Sequence, residues 1–131
     1  MTISDIARQA GLTAKSIRYY EDIGLIPPPA RSAAGYRVFS DADLHRLRFI
    51  QRARGLGFSV EECRQLLSLY DDGGRASADV KRLALHRVDD IDQKIAELQD
   101  MRRILSELAE KCHGDDRPDC PILADIAGAQ E

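Results

Sequence analysis

Near the carboxy-terminal end of the chain, Cys112 and Cys120 bracket the polar run HGDDRPD. Gly114 and Pro118 let such a loop double back, so the two sulfurs can meet. A close thiol pair has three possible fates: a disulfide, two idle side chains, or a clamp on a metal ion. Thiolates are soft ligands. Two of them without an obvious third donor suit an ion content with two-coordinate, near-linear binding, namely Cu(I), Ag(I) or Au(I). Structural zinc takes four ligands, and a lone Cys-x7-Cys pair is not its usual spacing. His113 and the loop aspartates are the nearby groups that could join the coordination. The remaining cysteine, Cys63, falls in the apolar stripe of SVEECRQLLSLY and reads as a small buried hydrophobe outside any site.

The rest of the chain must supply what a clamp acts on. TISDIARQAG places Ile3, Ile6, Ala7 and Ala10 at helical spacing and stops at Gly11, which tolerates the left-handed backbone of a helix end. Thr13 is a good N-cap, and Ile17, Tyr20 and Ile23 resume the apolar period ahead of Gly24. The expectation is helix, tight turn, helix. On the second helix, Lys15, Ser16, Arg18 and Tyr19 fall where the core does not need them, and their charges and hydroxyls suit phosphates and base edges. Tyr20 can serve either the groove or the core.

Three prolines, Pro27 to Pro29, then rule out helix, and AAG supplies a turn before the β-prone YRVF. A short hairpin, or wing, fits this pattern. Arg31, Tyr36 and Arg37 lie on it, placed to hold a flanking DNA backbone together with Arg54, although Tyr36 can equally pack the hairpin. Two capped helices follow: Ser40 pairs with Asp43, and Ser59 with Glu62.

Beyond the glycine break DDGGRA, Ser77 can cap a helix that runs to Cys112 without proline or glycine, roughly 50 Å at about 1.5 Å per residue. Ala84, Val88, Ile91, Ile95, Leu98 and Leu105 step along it by threes and fours, apart from one gap at Arg102. Such a seam calls for a second helix, and the simplest partner is a copy of itself in a two-fold dimer. After Cys120, PILADIAGA can form a short closing helix with Pro121 in its first turn.

Composition limits the alternatives. A chain of 131 residues, 44% of them hydrophobic, makes one small domain or a smaller one with an extension. No run approaches the roughly 18 uninterrupted apolar residues of a membrane span, and the amino terminus lacks a signal-peptide pattern, so a cytoplasmic, reducing location is expected. That disfavours the disulfide. Residues 1–56 hold nine Lys/Arg against five Asp/Glu, a net +4, whereas residues 57–131 hold ten against seventeen, a net −7. A basic first half joined to an acidic second half suits a nucleic-acid module followed by something else. No nucleophile and base pattern suggests an enzyme.

From ISDIARQAGLTAKSIRYYEDIGLI through GYRVFSDADLHRLRFIQRARGLGFS to the cysteine-bracketed loop, the chain resembles the MerR-type transcriptional regulators, and within them the copper-efflux branch, sensors of monovalent coinage-metal ions. The resemblance implies a mostly α fold in three parts. Residues 1–72 form a winged helix-turn-helix with a second helix pair, 77–111 an antiparallel coiled-coil dimerisation helix, and 112–131 a metal-binding loop with a short helix. It further implies double-stranded promoter DNA and RNA polymerase as partners, with the metal-bound homodimer kinking and untwisting a promoter whose polymerase-recognition elements are spaced too far apart. In sensors of divalent metals in this family a cysteine opens the dimer helix. Here Ser77 stands at that position, which makes it a neighbour of the ligands that limits coordination number. The rival readings are a divalent-metal sensor of the same family and a metallochaperone that does not bind DNA.

Overall fold

The computed structural model describes residues 1–115 and 118–128, so residues 116, 117 and 129–131 of the expected loop and closing segment lie outside it. In chain order the elements are α1 (Ile3–Ala10), α2 (Ala14–Asp22), β1 (Ala30–Arg31), β2 (Arg37–Val38), α3 (Asp41–Gly55), α4 (Val60–Asp71), α5 (Ser77–Lys111) and α6 (Pro121–Ile126). Two compact units result, Met1–Arg87 and Val88–Glu131.

Local chemistry starts and stops the helices of the first unit where the side chains demand. Reciprocal capping boxes open α1 (Thr2 with Asp5), α3 (Ser40 with Asp43) and α4 (Ser59 with Glu62), each satisfying two amide donors that would otherwise lack partners. The Glu62 carboxyl is held below its ordinary value, first by the Ser59 backbone N–H that it accepts. Thr13 caps α2 through the Ser16 amide, and the left-handed Gly11 ends α1. The wing is an antiparallel pair in the register Ala30 to Val38 and Arg31 to Arg37, closed by a bond from Ser32 N to Tyr36 O of 2.8 Å.

Ile6, Ile17, Ile26, Leu47, Ile50 and Cys63 are the fully buried centre of one core, to which Phe39, Phe58 and Leu67 contribute. Cys63 is thus the small hydrophobe its position predicts, and burial pushes its thiol pKa up, away from reactivity.

Two details differ from the sequence pattern. Ser77 is the first residue of α5 and not its cap, since Asp79 N already donates to Ala76 O at 3.0 Å. The first unit also continues past residue 72 into α5, where Arg87 Nε donates to Leu56 O at 3.1 Å. That guanidinium lies over Gly57, at φ +89°, and a Cβ there would sit 2.6 Å from Arg87 Cζ. Replacing Gly57 by alanine is therefore expected to cost about 1–3 kcal/mol, mostly from the left-handed backbone, with a lower melting temperature as the readout.

Candidate functional site

In the first unit, α2 turns Ile17 and Tyr20 into the core, leaving Tyr20 only 7% exposed. Of the two roles open to Tyr20, the structure gives it the core. Lys15, Arg18 and Tyr19 point outward, with Tyr19 51% exposed and its ring 5.9 Å from that of Tyr20. The Ser16 hydroxyl accepts from Thr13 Oγ1 at 2.9 Å and keeps its own hydrogen to donate. On the wing, Tyr36 is 75% exposed and packs little of the hairpin.

Arg18, Arg31, Tyr36 and Arg37 come together around one cavity of ≈ 230 Å³, with Thr2 beside them. Three arginines line it and no acidic residue does. This arrangement can accept an anion such as a phosphodiester. Arg54 is placed differently: its Nη1 donates to Phe58 O at 2.9 Å, bracing the turn between α3 and α4.

Two residues that the sequence pattern did not single out hold α2 in place. Arg64 of α4 donates to Ile23 O (2.8 Å) and Gly24 O (3.2 Å), satisfying carbonyls at the helix end. Glu21 accepts from Arg37 Nε at 2.7 Å. Both contacts join residues far apart in the chain, which helical periodicity cannot report. No signal in the sequence separates Glu21 from its acidic neighbour Asp22 at the same helix end.

In the second unit, α5 ends just before Cys112, and Cys120 stands at the N-cap position of α6. Both are half-buried free thiols. The Cys120 thiol is held below its ordinary pKa, chiefly by the Leu123 backbone N–H, with help from Ile122 N–H and from the neighbouring Cys112 thiol; desolvation and the Asp119 charge oppose this. None of those amides reaches full hydrogen-bond geometry on the sulfur, so the effect is that of N–H dipoles aimed at it. The loop thus brings the two sulfurs within reach of each other. His113 is exposed, and among the described residues no group of three or more His, Cys, Asp and Glu gathers as a larger metal site.

No residue of α5 is buried. Val88, Ile91, Ile95, Leu98 and Leu105 are all exposed, as the stepped pattern predicts for a seam, and Met101 and Ile104 are exposed where Arg102 interrupts it. Among the described residues no helix is long and apolar enough to cross a membrane.

Residues 1–69 match the family described as "MerR HTH family regulatory protein", and residues 44–108 match "MerR, DNA binding". The chain is 52% identical to the "Heavy metal-dependent transcription regulator 2" of Rhizobium meliloti, over 97% of this chain and 86% of that one. It is 48% identical to the "HTH-type transcriptional regulator CueR" of Salmonella typhimurium, over 98% and 93% respectively. Among solved structures, the regulator PbrR691 of Ralstonia metallidurans in complex with lead(II) superposes with a TM-score of 0.81 at 32% identity, covering 96% of this chain and 98% of that one. The capped helix-turn-helix, the wing and the long helix are those of a transcriptional regulator and not an enzyme, and the chain belongs to the MerR family.

Proposed function

We propose that the protein is a cytoplasmic, homodimeric transcription activator that answers to Cu(I), Ag(I) or Au(I) held between Cys112 and Cys120. The observation that carries this reading is the pair of free thiols brought together between α5 and α6, with N–H dipoles favouring the thiolate of Cys120. Soft monovalent ions are satisfied by two such donors. The likeness to a heavy-metal-dependent regulator supports a response to metal in general.

A second copy of α5 covers the exposed apolar stripe, and two recognition helices then address a palindromic promoter site. Lys15, Ser16, Arg18 and Tyr19 face the groove, while Arg31, Tyr36, Arg37 and Arg54 serve the backbone side. To switch, the dimer must hold the ion better in one of two arrangements than in the other, since only differential affinity shifts a population. That difference goes into bending and untwisting the promoter, so that RNA polymerase meets its two recognition elements in a productive geometry.

A divalent-metal sensor is the second reading, favoured by the lead(II) complex of PbrR691. Two thiolates leave a monovalent ion with one net negative charge and a divalent ion neutral, so charge does not exclude the divalent ion; coordination number has to. Ser77, exposed at the start of α5, offers the partner subunit's loop a hydroxyl where a thiolate would complete a divalent site.

Cys112→Ser and Cys120→Ser should each abolish metal-driven promoter output in a reporter assay while sparing DNA binding, whereas Cys63→Ser should keep the response. Full induction in either loop variant overturns the two-thiolate site. Competitive titration of the reduced dimer should show Ser77→Cys raising the Zn(II)-to-Cu(I) affinity ratio; an unchanged ratio puts selectivity in the loop alone. Arg18→Ala should weaken binding to the promoter by roughly 1–3 kcal/mol without altering metal affinity, read by fluorescence anisotropy.

A further inference from the structure

The side chain of Glu21 is only 12% exposed, whereas the ion-paired carboxylates Asp5 and Glu61 are 42% and 71% exposed. It lies on α2 yet reaches across to both strands of the wing. Its Oε2 accepts from Arg37 Nε at 2.7 Å, and its Oε1 stands 3.9 Å from Arg31 Nη2. These two contacts are unequal. The Arg37 side chain is 25% exposed and held at hydrogen-bond distance, whereas Arg31 is 49% exposed, only loosely paired, and also donates from Nη1 to Gly35 O at 3.1 Å across its own turn.

An acidic side chain beside a surface meant for DNA costs affinity through repulsion, unless it does something that outweighs the cost. Here Glu21 does not line the cavity that Arg18, Arg31, Tyr36 and Arg37 line, although it contacts two of those arginines. It acts from behind, on the guanidinium of Arg37. We propose that Glu21 is a positioning residue for DNA binding: by fixing Arg37 it holds the wing against α2, so that Arg31 presents its guanidinium group to a backbone phosphate in register with Arg18 and the other groove-facing side chains.

The two wing arginines then have different jobs. Arg37, expected from the sequence to hold DNA directly, serves as the strut between wing and helix. Arg31, with its weak partner, is the one released to phosphate. Specificity enters because a phosphate contact fixed relative to α2 sets the helix's depth and register in the groove, although the contact itself reads no base.

The proposal rests on the DNA-binding reading above. The probes are a duplex selected by the wild-type dimer from random-sequence DNA and a scrambled duplex of the same composition, each titrated by anisotropy across a salt series. Glu21→Gln is expected to lower the preference for the selected duplex by about tenfold, the scale of one base-pair mismatch. The salt slope on the selected duplex should become shallower by about 0.9, as for one lost phosphate contact. Because Glu21 acts through Arg37, the double variant Glu21→Gln with Arg37→Gln should be no worse than the weaker single variant.

Equal strengthening of binding to both duplexes would show Glu21 to be a mere repulsive neighbour, and additive losses in the double variant would separate it from Arg37. A lowered melting temperature with preference and salt slope unchanged would make it a fold contact only. Each of these results overturns the proposal. If Glu21→Gln does not fold, Glu21→Asp keeps the charge but withdraws it by one methylene, and the same loss of preference is expected. A wild-type dimer that selects no duplex overturns the DNA-binding reading together with this one.

Discussion

Burial of Ile17 and Tyr20 is the constraint on which the DNA-facing half of the molecule depends. Three residues apart on α2, they lie on one face of the helix and turn it toward the core, which settles where every other side chain of α2 can point. Lys15, Arg18 and Tyr19 are outward because Ile17 and Tyr20 are inward. Apolar burial alone fixes a helix's rotation better than its slide along its own axis. The polar contacts at the far end supply the missing restraint: Arg64 holds the carbonyls of Ile23 and Gly24, and Glu21 ties the same turn to the wing.

What was legible in the sequence was what nearest neighbours decide. The caps at Thr13, Ser40 and Ser59, the stop at Gly11 and the turn of the wing each depend on a residue and its partners within about one helical turn, and each is where the pattern puts it. Tyr20 was ambiguous because its ring suits a core and its hydroxyl suits water. The partners of Arg37, Arg54 and Arg64 were not legible, since an arginine's reach and many rotamers let it answer a carbonyl or carboxylate that folding alone brings near. The start of α5 differed by one residue for a related reason: a serine that can cap a helix can also sit in its first turn.

At the other end of the chain, the spacing and the Gly and Pro content of the loop made a meeting of Cys112 and Cys120 readable. The placement of Cys120 against the first amides of α6 was not. That placement changes the chemistry of the thiol. With the thiolate favoured by Leu123 and Ile122 N–H, less free energy is needed to deprotonate Cys120 than an ordinary surface cysteine. Pro121 at the start of α6 has no N–H of its own, at a position where none is needed.

The 35-residue α5 has no buried residue within its own chain, and this has a consequence for how the protein exists in solution. Helix formation in water is only marginally favourable without tertiary support, and among the described residues the apolar stripe of α5 stays exposed. Whatever covers that stripe therefore supplies stability as a ligand does, through mass action. With a second copy in that role, the folded state of the sensing end depends on concentration: dilution favours frayed chains, and accumulation favours assembled sensors. The number of chains a cell makes then sets the fraction able to respond as well as the total present.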